Sequence, residues 1–113
     1  MPSHENPHSV LLEVTRGGQK NSYLRITPHQ DFFPPEVFGS KSEEGGLGKR
    51  VRLLVDGLVE PVDTDIASDK MIFRKRGWCH EFFEMHGLRA GELVVLEKIS
   101  EYSYKLMPKK KAA

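Results

Sequence analysis

The chain has 113 residues, 38% hydrophobic and 29% charged, with a formal net charge of +1. That length suits one domain able to bury roughly two-thirds of the surface its unfolded form exposes. The composition excludes a disordered chain, no apolar run approaches the ~18 residues of a membrane span, and the lone Cys79 excludes an internal disulfide.

In chain order, Met1 to His8 is a polar, disordered lead-in without a signal-peptide core, which together with the lone cysteine gives an intracellular, reducing address. Ser9 to Thr15 alternates Val10, Leu12 and Val14 against Leu11, Glu13 and Thr15, the period of a half-buried strand. Tyr23 to Thr27 places Leu24 and Ile26 on one face of a second strand. Thr27, Pro28 and Gln30 then have the pattern of a capped helix start, which Pro34 and Pro35 cut short. Arg50 to Val55 is a third strand, with a short one near Leu58 to Val62. Lys70 to Arg74 sets Met71 and Phe73 against Lys70, Ile72 and Arg74. A better supported helix runs from about Gly77 to His86, with Trp78, Phe82 and Met85 on its apolar stripe and Gly87 as its C-cap. Leu93 to Ile99 and Tyr102 to Met107 form a closing hairpin through Ser100 and Glu101. Pro108 to Ala113, with Lys109, Lys110 and Lys111, is a basic tail or the start of a linker. The sum is about seven strands and two short helices, a mainly β domain over residues 9 to 107 folded as a small open barrel.

Charge is local rather than global. From Lys70 to His80 there are four basic residues and no acidic one, while acids gather at Glu43 and Glu44 and from Asp56 to Asp69. A basic surface on a nearly neutral protein is one reading and scattered solvated charge the other. Chemistry-bearing motifs for an enzyme are missing. None of the lysines has an acid two residues before it, as the acidic-X-Lys triplet of many metal-dependent nucleases requires, and no histidine begins an H-x-K. His80 and His86 flank the second helix without a ligand partner at useful spacing, Cys79 is alone, and the GGLGKR stretch lacks the spacing of a nucleotide-binding loop. No catalytic residue, metal or cofactor is expected.

The segment FRKRGWCHEFFEMHGLRAGELVV, from Phe73 to Val95, resembles the B3 family of DNA-binding domains. Trp78, Phe82, Phe83, Leu88, Gly91, Glu92 and Val94 occupy positions of that family's Trp-led helix and its G-[DE]-x-V turn into a strand. YLRITPHQDFF resembles its strand and short helix, although Thr27 intervenes between Ile26 and Pro28. The TDIASDKMIFRKRGW and EKISEYSYKLMP stretches look more like the bacterial branch, found in target-recognition or effector domains of EcoRII- and BfiI-type restriction endonucleases. The resemblance implies a seven-stranded DNA-binding pseudobarrel with two short helices and two arms that clasp the major groove. It also implies a monomer in the bacterial cytoplasm that binds double-stranded DNA beside a catalytic nuclease domain. HGLRAGELVVLEK is similar as well to the helix-turn-strand of AbrB-type regulators. A stand-alone metal-dependent nuclease and a protein-interaction barrel are rival readings of the same chain.

On the B3 resemblance the N-terminal arm is Thr15 to Tyr23. There Arg16 suits guanine, Gln19 or Asn21 suits adenine, and Lys20 and Ser22 suit phosphate. Gly-Gly in polar surroundings is equally the signature of a plain hairpin turn. Tyr23 and Arg25 flank this arm. The C-terminal arm is Asp63 to Arg76, where Lys70 and Arg74 share a strand face and Arg76 continues the row. Thr64, Ser68 and Ile66 would meet phosphate, a base edge and a thymine methyl. Asp65 and Asp69 either accept from cytosine, orient an arginine or fill a turn. Lys49, Arg50 and Arg52 either contact phosphates or solvate a strand face.

Overall fold

Apolar alternation sets the larger of two sheets in the computed structural model, which describes residues 8–109. The expected lead-in before His8, and Lys110 and Lys111 of the lysine run, lie outside the described residues. Strand β1 (Ser9–Glu13) is the first element among the described residues and β2 (Phe38–Gly39) follows much later. Next come β3 (Val51–Val55), β4 (Val62–Thr64), β5 (Ile66–Ala67) and β6 (Ile72–Phe73), and the chain ends in the hairpin β7 (Leu93–Ser100) and β8 (Ser103–Pro108). The five-stranded sheet has the order β1-β7-β8-β3-β4, with β3 parallel to β8 and the other pairs antiparallel. Leu12 pairs with Val94, and Leu96 with Leu106, so their side chains share the buried face. β2, β5 and β6 make a separate three-stranded sheet. Phe33 joins the two, its ring centroid 4.8 Å from Tyr104 of β8 and 6.1 Å from Phe73 of β6.

The mainly β composition with two helices agrees with the sequence. The strand count differs from the expected seven: the described residues hold eight strands in two mixed sheets, and neither closes on itself. β4 runs into β5 across the single residue Asp65, so the chain passes from one sheet to the other at that point.

The first helix is displaced from where the sequence put it. Helix α1 (Arg16–Asn21) occupies the supposed N-terminal loop, capped by Thr15, whose Oγ1 accepts from the Gly18 amide at 2.9 Å. Gly17 and Gly18 belong there because Tyr23 folds back over them. A Cβ on Gly17 would meet the Tyr23 hydroxyl, and one on Gly18 the Tyr23 carbonyl. Between Thr27 and β2 there are two single 3-10 turns, Gln30–Phe32 and Pro35–Val37, the second following Pro34. Tyr23 to Thr27 is not a strand either; it contributes one isolated bridge, Arg25 to Ile72. Helix α2 (Gly77–His86) lies where expected and ends on Gly87 in the left-handed conformation. Its buried stripe is Trp78, Cys79, Phe82 and Phe83, whereas Met85 is 46% exposed and lies over Gly57 at the rim. No helix among the described residues is long and apolar enough to cross a membrane.

Candidate nucleic-acid interface

Four basic residues, Lys41, Lys70, Arg74 and Arg76, line one cleft on the three-stranded sheet. β5 and β6 pair antiparallel, Ala67 opposite Ile72, and the turn between them is held by the Met71 amide donating to Ala67 O at 2.8 Å. Ser68 N donates to Gly39 O at 3.0 Å, tying the same turn to β2. Ala67 and Ile72 form the floor of this shallow cleft of about 210 Å³. Lys41, Asp69, Lys70, Arg74 and Arg76 form its walls.

The strand alternation expected over Lys70 to Arg74 is broken at Met71, whose φ of 57° is left-handed. Lys70 therefore sits on the turn rather than on a strand, and Ile72 and Phe73 are both buried, one under the cleft and one in the core. Lys70 and Arg74 still line one cleft, but they differ in what they hold. Arg74 grips Asp65 side-on, Nε to Oδ1 at 2.7 Å and Nη2 to Oδ2 at 3.0 Å, and Nη2 also donates to Ser40 O at 2.7 Å. Asp65 Oδ2 further accepts from the Gly48 amide at 2.8 Å. Both ends of the 40–48 loop are thus fastened to one ion pair, and that loop carries Lys41. Burial pushes the Asp65 carboxyl up, but the Arg74 hydrogen bonds, the Gly48 amide and the Arg74 charge outweigh it, so the group stays ionised below the usual carboxylate range.

Of the roles open to Asp65, the structure shows the orienting one: it pairs with Arg74 and, at 3% exposure, cannot reach a base. Other expected contacts are corrected. Ile66 is fully buried, so its side chain cannot reach a thymine methyl. Thr64 is buried as well; its Oγ1 donates to Asp65 O and accepts from Lys75 N, both at 2.9 Å, which leaves nothing for phosphate. The guanidinium edge of Arg74 that would read guanine is committed to Asp65 and Ser40. Ser68, Asp69, Lys70 and Arg76 are exposed. Lys41, Lys70, Arg76 and Asp69 make no ion pair among the described residues.

The N-terminal residues reach the same region from the side. Arg25 bridges to Ile72, and Ile26 N donates to Met71 O at 2.8 Å, so this segment runs beside β6. The Arg25 guanidinium lies 5.7 Å from the Tyr23 ring centroid, and Tyr23 in turn covers α1 at Gly17. Arg16, Lys20 and Asn21 are exposed on α1, and Ser22 is a half-buried, left-handed C-cap. Gln19 is exposed, but its Oε1 accepts from the Ala90 amide at 2.8 Å, which turns the amide oxygen toward the α2–β7 connection. Of the third-strand cations, Arg52 pairs with Asp63 at 2.9 Å and Lys49 lies over the Tyr102 ring, both exposed. Lys41 is an addition that no motif signals, because its place depends on the parallel pairing of β2 with β5.

No family model, no curated protein sequence and no solved structure matches this chain.

Proposed function

We propose that this chain binds double-stranded DNA on the outer face of its three-stranded sheet, with the β5–β6 turn entering the major groove. One observation carries the reading: Lys41 joins Lys70 and Arg76, from a distant stretch of chain, on one cleft, and none of the three makes an ion pair among the described residues. Concentrated cationic charge with no internal partner is the footprint of phosphate binding. Lys41 and Arg76 take phosphates on either side of the groove, Arg25 with Arg16 and Lys20 extends the strip toward α1, and Lys70 on the turn reaches base edges. The B3 resemblance supports the same reading. It further points to a monomeric target-recognition domain of a bacterial restriction endonuclease, acting in the cytoplasm with cleavage supplied by a separate nuclease domain.

Fluorescence anisotropy with labelled duplexes over a salt series tests it. Binding should weaken steeply with salt, and Lys41→Ala and Arg76→Ala should each flatten the logarithmic salt slope by about one unit on every sequence. Salt-independent binding, or slopes unchanged in both variants, refutes the site. Cleavage of plasmid by this chain alone with Mg²⁺ would replace the binding role with a nuclease.

A further inference from the structure

Asp69 is the odd charge in the cleft. It shares the cleft with Lys41, Lys70, Arg74 and Arg76, yet its carboxylate makes no ion pair among the described residues. It occupies the exposed tip of the β5–β6 turn between Ser68 and Lys70, and that tip is pinned to β2 and closed on itself by backbone hydrogen bonds. Facing phosphates, such a carboxylate only repels. Facing a major-groove base edge, it accepts from an exocyclic amino group, and aspartate's partner there is cytosine N4. The neighbouring Lys70 adds a donor. In one C·G pair the cytosine amino group lies beside guanine O6 and N7, so an acceptor and a donor on adjacent residues of a fixed turn complement that edge. An A·T pair also offers an amino group beside a carbonyl, but thymine presents the lysine with one acceptor where guanine presents two.

Resting on the DNA-binding reading, we infer that Asp69, with Lys70, is the specificity-determining element of the cleft and selects a C·G pair. Asp65, the other acid considered for such a role, is spent on Arg74. The carboxylate also disfavours DNA that lacks the matching amino group, so it lowers affinity for random sequence while raising selectivity.

The test is selection of bound duplexes from a random pool with the full chain, followed by anisotropy on the selected site for wild type, Asp69→Asn and Asp69→Ala. The wild type should select a site containing one C·G pair whose replacement by T·A weakens binding roughly tenfold or more. That penalty should be smaller in Asp69→Ala by the aspartate's share, Lys70 keeping the rest, and both variants should bind random duplex at least as tightly as the wild type. Melting temperatures close to the wild type's would show the fold intact, because the Asp69 side chain makes no hydrogen bond or ion pair among the described residues. Equal base penalties at every position in wild type and Asp69→Ala overturn the inference while leaving DNA binding standing. Absence of salt-sensitive duplex binding by the wild type overturns both.

Discussion

Replacing Asp65 by alanine should unfold the joint between the two sheets. The carboxylate accepts three of the hydrogen bonds described above, from Arg74 Nε at 2.7 Å, Arg74 Nη2 at 3.0 Å and Gly48 N at 2.8 Å. Its side chain is 4% exposed and that of Arg74 16%. Removing one member of such a pair strands the other charge out of water, which costs about 3 to 5 kcal/mol. A domain of this size has about 5 to 15 kcal/mol to lose, and about 4 °C per kcal/mol gives a fall in Tm of roughly 12 to 20 °C. Urea denaturation followed by Trp78 fluorescence measures the loss, and the Asp65→Ala/Arg74→Ala double mutant measures the coupling, expected at about 1 to 3 kcal/mol. Because the Asp65 pKa is lowered in the folded state, its contribution is complete above the unfolded carboxylate value of roughly 4 and disappears as pH falls through the folded value. The wild type should therefore lose stability below about pH 4 more steeply than Asp65→Ala. A loss under about 1 kcal/mol, or additive single mutants, would show a solvated surface pair and refute the reasoning.

Two further perturbations probe the same architecture. Gly39→Ala should destabilise by more than about 1 kcal/mol, since a Cβ there would collide with Asp65 Oδ2, Gly48 N and Arg74 Nη2; a melting temperature matching the wild type's would show that the latch yields. Cys79 is fully buried and its thiol is pushed up to about 12 by that burial, so Ellman's reagent at pH 8 should titrate it promptly only after urea is added. Prompt reaction of the native chain would place the thiol at the surface instead.

Where sequence reasoning succeeded, the controlling interactions are local. Val94, Leu96, Tyr104 and Leu106 alternate with outward residues, and that period alone fixes the β7–β8 hairpin and its buried face. Trp78 and Phe82 one helical turn apart, with Gly87 after them, mark α2 as well. Where it failed, a local signal was overruled by a partner elsewhere in the chain. Thr15 caps α1 against the turn-forming habit of Gly17 and Gly18, because Tyr23 closes over both glycines. Thr27 and Gln30 resemble a capping box, but Pro34 and Pro35 leave room for no more than 3-10 turns, and Phe33 goes to the junction of the two sheets.

The candidate site divides along the same line. That Lys70 and Arg76 belong to one basic stretch, with Asp69 at its acidic edge, is written in the order of residues; the turn that carries Asp69 and Lys70 is not, since the alternation reads Lys70 to Arg74 as a strand. Which of these charges faces a ligand is not written there either. Arg74 and Lys70 read alike in a sequence, yet one is spent on Asp65 and Ser40 while the other projects from the turn, because the left-handed Met71 resets the strand register between them. Lys41 enters the cleft only when β2 lies parallel to β5 and the 40–48 loop is fastened by Asp65 and Arg74. Periodicity reports the face a residue takes within its own element, whereas the choice of an ionic partner is made between elements, and for this protein that choice was the tertiary structure's to make.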